Sequence, residues 1–267
     1  MSARKRAAVD GTPGIVAEDV HVELGGREVV RGVTLEVHPG ELVALVGPNG
    51  CGKSTLLSVL SGTRKPLRGR VLVDGCDVAT TPLRELARHR SVVTQVNRVD
   101  TPFTVAEVVR MGRYPWLRTP RAADSPSIIA DAVELCELGD IADRPFAQLS
   151  GGQQARVSLA RALAQDTPVM MLDEPTAALD IHHQEQVLEI LGAHRDEGNA
   201  VLLVVHDLTL AAAYADRVAV MKDGELLAVG PTDEVMTTEL LSETYDHPVE
   251  VLDHRGRKVI LPERNRG

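Results

Sequence analysis

Residues 47–55 read GPNGCGKST, and this stretch decides how the rest of the chain is read. The apolar run ELVALV (41–46) leads into it and LLSVL (56–60) leads out of it. A strand, a glycine-rich turn and a helix are therefore expected in succession. Gly47, Gly52, Lys53 and Ser54 satisfy the pattern G-x-x-x-x-G-K-[ST], with Pro48, Asn49, Gly50, Cys51 and Thr55 completing the loop. The spacing has a physical reason. Glycine lets the backbone curl until successive N–H groups point inward at phosphate oxygens. The helix that begins there adds unpaired amides and the positive end of its dipole. Lys53 has the reach to meet the outer phosphates, and the Ser54 hydroxyl suits Mg²⁺. The competing reading is a chance match in a glycine-rich turn; the flanking strand and helix weigh against it.

Further along, Val169 to Leu172 is apolar without alternation, as a strand covered on both faces tends to be. Two acids, Asp173 and Glu174, end it. Asp173 can hold Mg²⁺ directly or through water, and Glu174 can aim at a water poised to attack an outer phosphate. The plainer alternative is a pair of acids capping the next loop. Leu149-Ser150-Gly151-Gly152-Gln153 opens a helix, with Ser150 and Gln153 in a capping-box pattern. Two glycines beside a hydroxyl make it either a second anion site or a capped helix after a turn. A second continuous apolar run, Val201 to Val205, ends at His206; a lone histidine there is more often structural than functional. The pair His182-His183 has no third ligand spaced near it and reads as a solvated helix face.

The 267 residues suit one large domain or a domain with an inserted subdomain, and at 43% hydrophobic they can bury a sizeable core. A net charge of −9 and 2% aromatic content weigh against a nucleic-acid partner. The three cysteines form no CxxC pair and suit a reducing compartment. No signal-peptide core follows the basic start, and no apolar run approaches the roughly 20 residues that cross a bilayer, so a membrane role would need a partner.

Residues 1–14 are expected to be flexible. Strands are predicted over 15–24, 33–37, 70–73 and 91–95, the last ending on Gln95, and a short helix over 82–88. From about 96 to 165 the pattern turns helical, which predicts a helical insertion in an α/β core. Thr104 with Glu107 forms a capping box, and Ser125 before Pro126 reads as a cap followed by proline at the first helical position. Asp180 caps another helix. Residues 217–221 and 225–229 read as a hairpin around Asp223-Gly224. The remainder, from 231, reads as a short helical region and a basic tail over 255–267.

GPNGCGKST, Gln95, LSGGQ, MMLDEP, AALD and His206 occur in an order that resembles the ATP-binding-cassette ATPases, from about Ile15 to Leu252. The resemblance implies an α/β fold: a RecA-like P-loop NTPase core with an antiparallel β subdomain and an inserted α-helical subdomain, the cassette spanning 15–254. It implies ATP and Mg²⁺ as cofactors, with Ser54, Gln95 and Asp173 at the metal and Glu174 and His206 catalytic. It also implies a second copy packed head to tail, Leu149 to Gln153 meeting the γ-phosphate bound by the partner. Gln95 and Asp180 would carry coupling, to the permease and between copies respectively. MGRYP (111–115), LDIHHQ (179–184) and VHDLTLAA (205–212) resemble importer ATPases that serve haem, iron-siderophore and cobalamin permeases. The ending from His247 through Pro262 resembles the haem branch. Implied partners are an integral membrane permease dimer and, through it, a periplasmic or surface substrate-binding protein, with no nucleic acid. The implied place is the cytoplasmic face of the cell membrane, as a peripheral protein. A soluble cassette such as an iron–sulfur assembly ATPase is the competing class; GRYP and LDIHHQ weigh against it.

Three further expectations follow from particular residues. Leu24 stands where the family usually has an adenine-stacking aromatic, so discrimination of ATP from GTP should be weak. Cys51, near a helix N-terminus, should ionise readily and be open to alkylation. Trp116 should lie in or near a docking surface formed around 95–120.

Overall fold

A computed structural model describes residues 12–94 and 102–263. In chain order the elements are β1 (Ile15–Leu24), β2 (Arg27–Val37), β3 (Leu42–Val46), α1 (Lys53–Leu60), β4 (Arg68–Val73), β5 (Cys76–Asp77), α2 (Leu83–Leu86), β6 (Arg90–Val93), α3 (Val105–Met111), α4 (Ser125–Leu135) and α5 (Gly151–Gln165). There follow β7 (Val169–Asp173), α6 (Ile181–Asp196), β8 (Ala200–Val204), α7 (Leu208–Tyr214), β9 (Arg217–Lys222), β10 (Glu225–Pro231), α8 (Thr232–Val235), α9 (Thr238–Tyr245), β11 (Val249–His254) and β12 (Arg257–Pro262).

The core is a six-stranded sheet in the order β10-β9-β3-β8-β7-β6, parallel except for β10 at one edge. Its central strands are apolar at every position because both faces are covered. Leu42, Ala44 and Val46 of β3 face one core, shared with the helical insertion, α6 and α7. Val43 and Leu45 face the other, shared with α1 and the antiparallel sheet. That second sheet has the order β2-β1-β4-β5. It is tied to the core where Arg31 N–H donates to the Gly224 carbonyl at 2.8 Å. The α/β core, the antiparallel sheet and the helical insertion are thus as expected.

Parallel register sets the site. Leu42 pairs with Val201 and Val169 with Ala200, which brings the C-terminal ends of β3, β8 and β7 side by side. In open parallel sheets this edge is where ligands sit.

Several local expectations need correction. Gln95 lies outside the described residues, and β6 ends at Val93. Ser125 is not the cap of its helix. A 3-10 turn, Pro120–Asp124, runs directly into α4, Asp124 is the capping position, and the Ser125 hydroxyl accepts a hydrogen bond from Arg113 Nε at 3.1 Å. The basic ending is not a tail over its described part: 257–262 is β12, paired with β11 through Val251↔Ile260 and Val249↔Pro262. The hairpin packs on α7, where Ile260 N–H donates to Thr209 Oγ1 at 3.4 Å. Trp116 is buried rather than presented, its Nε1–H donating to the Gln165 carbonyl at 2.6 Å. Its neighbours Tyr114 and Leu117 are exposed in its place.

Candidate functional site

Gly47 leaves β3 with φ +153°, and a Cβ there would lie 2.0 Å from the Met221 carbonyl oxygen. No other residue fits a turn pressed that closely against β9. The loop is pinned again where Gly224 N–H donates to the Cys51 carbonyl at 3.0 Å. Lys53, the first residue of α1, is buried and donates from Nζ to the carbonyls of Gly47 (2.7 Å) and Pro48 (2.9 Å). Its ammonium therefore sits inside the curl of the loop.

Cys51 corrects the expectation of a reactive thiol. It is buried, and burial pushes its pKa up; the nearby Lys53 charge lowers it only in part.

Asp173 ends β7 next to this loop. The Ser54 side chain hydrogen-bonds it, and Asp173 Oδ1 is buried with no hydrogen-bond partner. Burial raises the Asp173 pKa; the Ser54 hydrogen bond and the Lys53 charge oppose that rise, and the neighbouring Glu174 charge adds to it. An orphaned carboxylate oxygen beside a hydroxyl is a pair of hard oxygen donors. That chemistry fits a hard divalent cation.

Glu174 follows with φ +50°, an uncommon backbone for a side chain of this size. Its N–H donates to the Val204 carbonyl at 3.0 Å, so the chain turns aside exactly where β7 and β8 end together. The turn aims the carboxylate at His206, and Glu174 Oε1 pairs with His206 Nε2. The histidine stands just beyond β8, and Asp207 caps α7 after it through Thr209 N–H (2.8 Å) and Leu210 N–H (3.0 Å).

The remaining candidates gather elsewhere. Ser150, Gly151, Gly152 and Gln153 line a groove of about 400 Å³ with Arg156, Ala178, Leu179, Asp180 and His183. Both arms of the expected capping box are present: Gln153 N–H to Ser150 Oγ at 3.3 Å, and Ser150 N–H to Gln153 Oε1 at 3.1 Å. Leu149 is buried beneath it. Asp180 caps α6 through His183 N–H (3.0 Å) and pairs with His183 Nδ1 (2.7 Å), so its pKa lies below the usual carboxylate range. Thus Ser150 and Asp180, 30 positions apart in sequence, share one groove, and none of residues 47–55, 173, 174 or 206 lines it.

One side chain at the loop had no local signature. Tyr245, at the end of α9, lies against the Gly47 backbone with its hydroxyl buried, and burial pushes its pKa up to about 12. With His206, His247, Val249 and Ile260 it lines a cavity of about 390 Å³ between α7 and the C-terminal hairpin. Only its place in an apolar helical pattern could have pointed inward.

A phosphate-shaped loop, a carboxylate pair on the adjoining strand and a separate capped groove define a cassette ATPase. The chain belongs to the ABC transporter family, whose model matches residues 30–177. Among its relatives is the hemin import ATP-binding protein HmuV of Nocardia farcinica, 52% identical over 90% of this chain and 84% of that one. The protein of the same description from Rhodococcus jostii is 48% identical over 93% of this chain and 86% of that one. A dimeric ATP-binding cassette solved in a post-hydrolysis state with ADP and Pi superposes with a TM-score of 0.74 at 28% identity, covering 82% of this chain and 98% of that one. The fold class and the ATP-hydrolysing activity expected from the sequence stand on these matches.

Proposed function

We propose that this chain is the ATP-hydrolysing subunit of a hemin importer. The observation that carries the cargo is the 48–52% identity, over about nine-tenths of the chain, to proteins described as hemin import ATP-binding proteins. Iron-siderophore and cobalamin import remain the alternatives within the same class.

In this reading residues 47–55 hold the phosphates of ATP, with Lys53 turning its ammonium from the loop carbonyls to the outer phosphates. Ser54, Asp173 and Gln95 hold Mg²⁺, which when bound neutralises charge on the outer phosphates. Glu174 orients and polarises the attacking water, and His206 holds the γ-phosphate side of that water. The groove at Leu149 to Gln153 meets the γ-phosphate of ATP bound by a second, head-to-tail copy, with Asp180 bridging the copies. Within one chain the groove shares no lining residue with the phosphate loop, which supports this division. Hydrolysis leaves like-charged products and lets the pair reopen.

The pair works on an integral membrane permease dimer, fed by a periplasmic or surface substrate-binding protein, from the cytoplasmic face of the membrane. Among the described residues no helix is long and apolar enough to cross a membrane, so attachment runs through the permease. The docking surface lies on the helical subdomain inserted at about 96–165 in a cassette of 15–254, with Tyr114 and Leu117 as its exposed apolar contacts.

The test is reconstitution with candidate permeases in proteoliposomes, reading ATP turnover against cargo. Hemin is expected to stimulate turnover and to be taken up. Stimulation by cobalamin or a ferric siderophore, with hemin inert, would overturn the cargo assignment.

A further inference from the structure

The guanidinium of Arg113 belongs to neither the phosphate loop nor the groove. At 1% exposure it heads the fully buried side chains by size. Nε donates to Ser125 Oγ (3.1 Å), Nη1 to the Ala164 carbonyl (3.0 Å) and Nη2 to the Arg121 carbonyl (3.1 Å). Ala164 and Gln165 carry the last carbonyls of α5, which have no acceptor role left within the helix, and a cation there also suits the helix dipole. Trp116 donates to the Gln165 carbonyl beside it, and the Arg121 guanidinium lies 4.0 Å above the Trp116 ring while pairing with Asp166.

The same block reaches β6. Gln165 Nε2 donates to the carbonyls of Ala87 (2.6 Å) and Arg90 (2.8 Å), and Arg88 Nε donates to the Pro115 carbonyl (2.9 Å). At Gly112 the α3 end approaches α5 so closely that a Cβ would meet the Arg161 carbonyl oxygen at 2.2 Å. Segment 112–121, the end of α5 and the start of β6 are therefore one rigid unit. On its outer side stand Tyr114 and Leu117, 55% and 59% exposed. At the other end of α5, about 22 Å away at 1.5 Å per residue, stands Ser150.

We propose that Arg113 is a positioning residue that turns displacement at Tyr114 and Leu117 into displacement of the Ser150 groove. Its fork clamps the 113–121 segment to the far end of α5, so whatever docks outside moves that helix as a rod. The inference rests on the reading that a permease docks on this surface. Lysine keeps the charge but has no planar fork to span three acceptors on three segments.

The test compares R113K with wild type, as the isolated chain and as the complete transporter in proteoliposomes. The isolated chain is expected to keep its kcat and its KM for ATP. Permease-stimulated turnover and cargo uptake are expected to fall about tenfold, inside the roughly 5- to 150-fold span of coupling between sites. Trp116→Phe, which removes the Nε1–H bond to the Gln165 carbonyl and leaves a smaller ring beneath Arg121, should shift the same ratio in the same direction and serves if R113K does not fold. Full stimulation in the variants overturns the inference and leaves the importer reading standing. An equal loss in the isolated chain also overturns it, because that reports structure alone. A wild-type complex that no permease stimulates overturns the docking reading and this inference with it.

Discussion

The helical insertion contains two capping boxes of the same backbone pattern, one closed by the Glu107 carboxylate and the other by the Gln153 amide, and they make a controlled experiment. Thr104 with Glu107 caps α3, and Ser150 with Gln153 caps α5. In each, the cap hydroxyl accepts one backbone N–H at 3.3 Å. Thr104→Ala and Ser150→Ala should therefore cost about the same stability, roughly 1 kcal/mol. For a chain of this size that is a fall in Tm of about 2–4 °C. Only Ser150 lines the groove proposed to meet a partner's γ-phosphate. A lost hydrogen bond to a charged group is worth about 1.5–3 kcal/mol, and a twofold pair loses it twice, about 3–6 kcal/mol in all. The dimer Kd should then rise by a factor on the order of 10² to 10⁴. The assay is sedimentation in a Glu174→Gln background with Mg-ATP, where turnover is removed and the pair is expected to persist. If Ser150→Ala pairs as tightly as its parent, or Thr104→Ala weakens pairing equally, the groove is an ordinary helix start and the reasoning fails.

Four other outcomes are expected. Because the folded-state pKa of Asp173 is raised, the carboxylate protonates on acidification above the usual range near 4, so Mg²⁺ affinity should fall at a higher pH than an ordinary Asp would give, measured by calorimetry across pH. The same sign means the ionised group costs stability as pH rises through that pKa; Asp173→Asn should raise Tm while abolishing turnover, and a lowered Tm would contradict it. Iodoacetamide at neutral pH should leave Cys51 unlabelled in the native chain and label it after unfolding, read by mass spectrometry; rapid native labelling would mean the loop opens. A competition assay should find ATP and GTP bound within about an order of magnitude of each other, the roughly 1.5 kcal/mol an aromatic stacking contact would otherwise supply being absent at Leu24.

What was legible in the chain is what short-range physics writes there. The strand–turn–helix around Lys53, the unalternating strands that end at Asp173 and His206, and both hydroxyl caps each follow from a pattern within a dozen residues. The expectations that failed all concern how such pieces meet. Ser125 looked like a cap because Pro126 follows it, but its hydroxyl is occupied by an arginine from another segment. Arg113 and Trp116 sit in the stretch expected to form a docking surface, and only the approach of α5 shows that both side chains are interior. The helix that follows Cys51 favours a thiolate, whereas burial governs its thiol. The basic residues after 254 suggested a solvated end, while β12 is held by its partner strand and by Thr209, neither of which a charge count registers.

The hairpin of β11 and β12 closes on the helix that begins one residue after the Asp207 beside His206. A purification handle or fluorescent fusion hung beyond Pro262 would therefore tug on the scaffold of that imidazole. Rates measured with and without such an appendage should not be pooled, and a change between them would itself be a reading of how firmly the last strand braces the reaction.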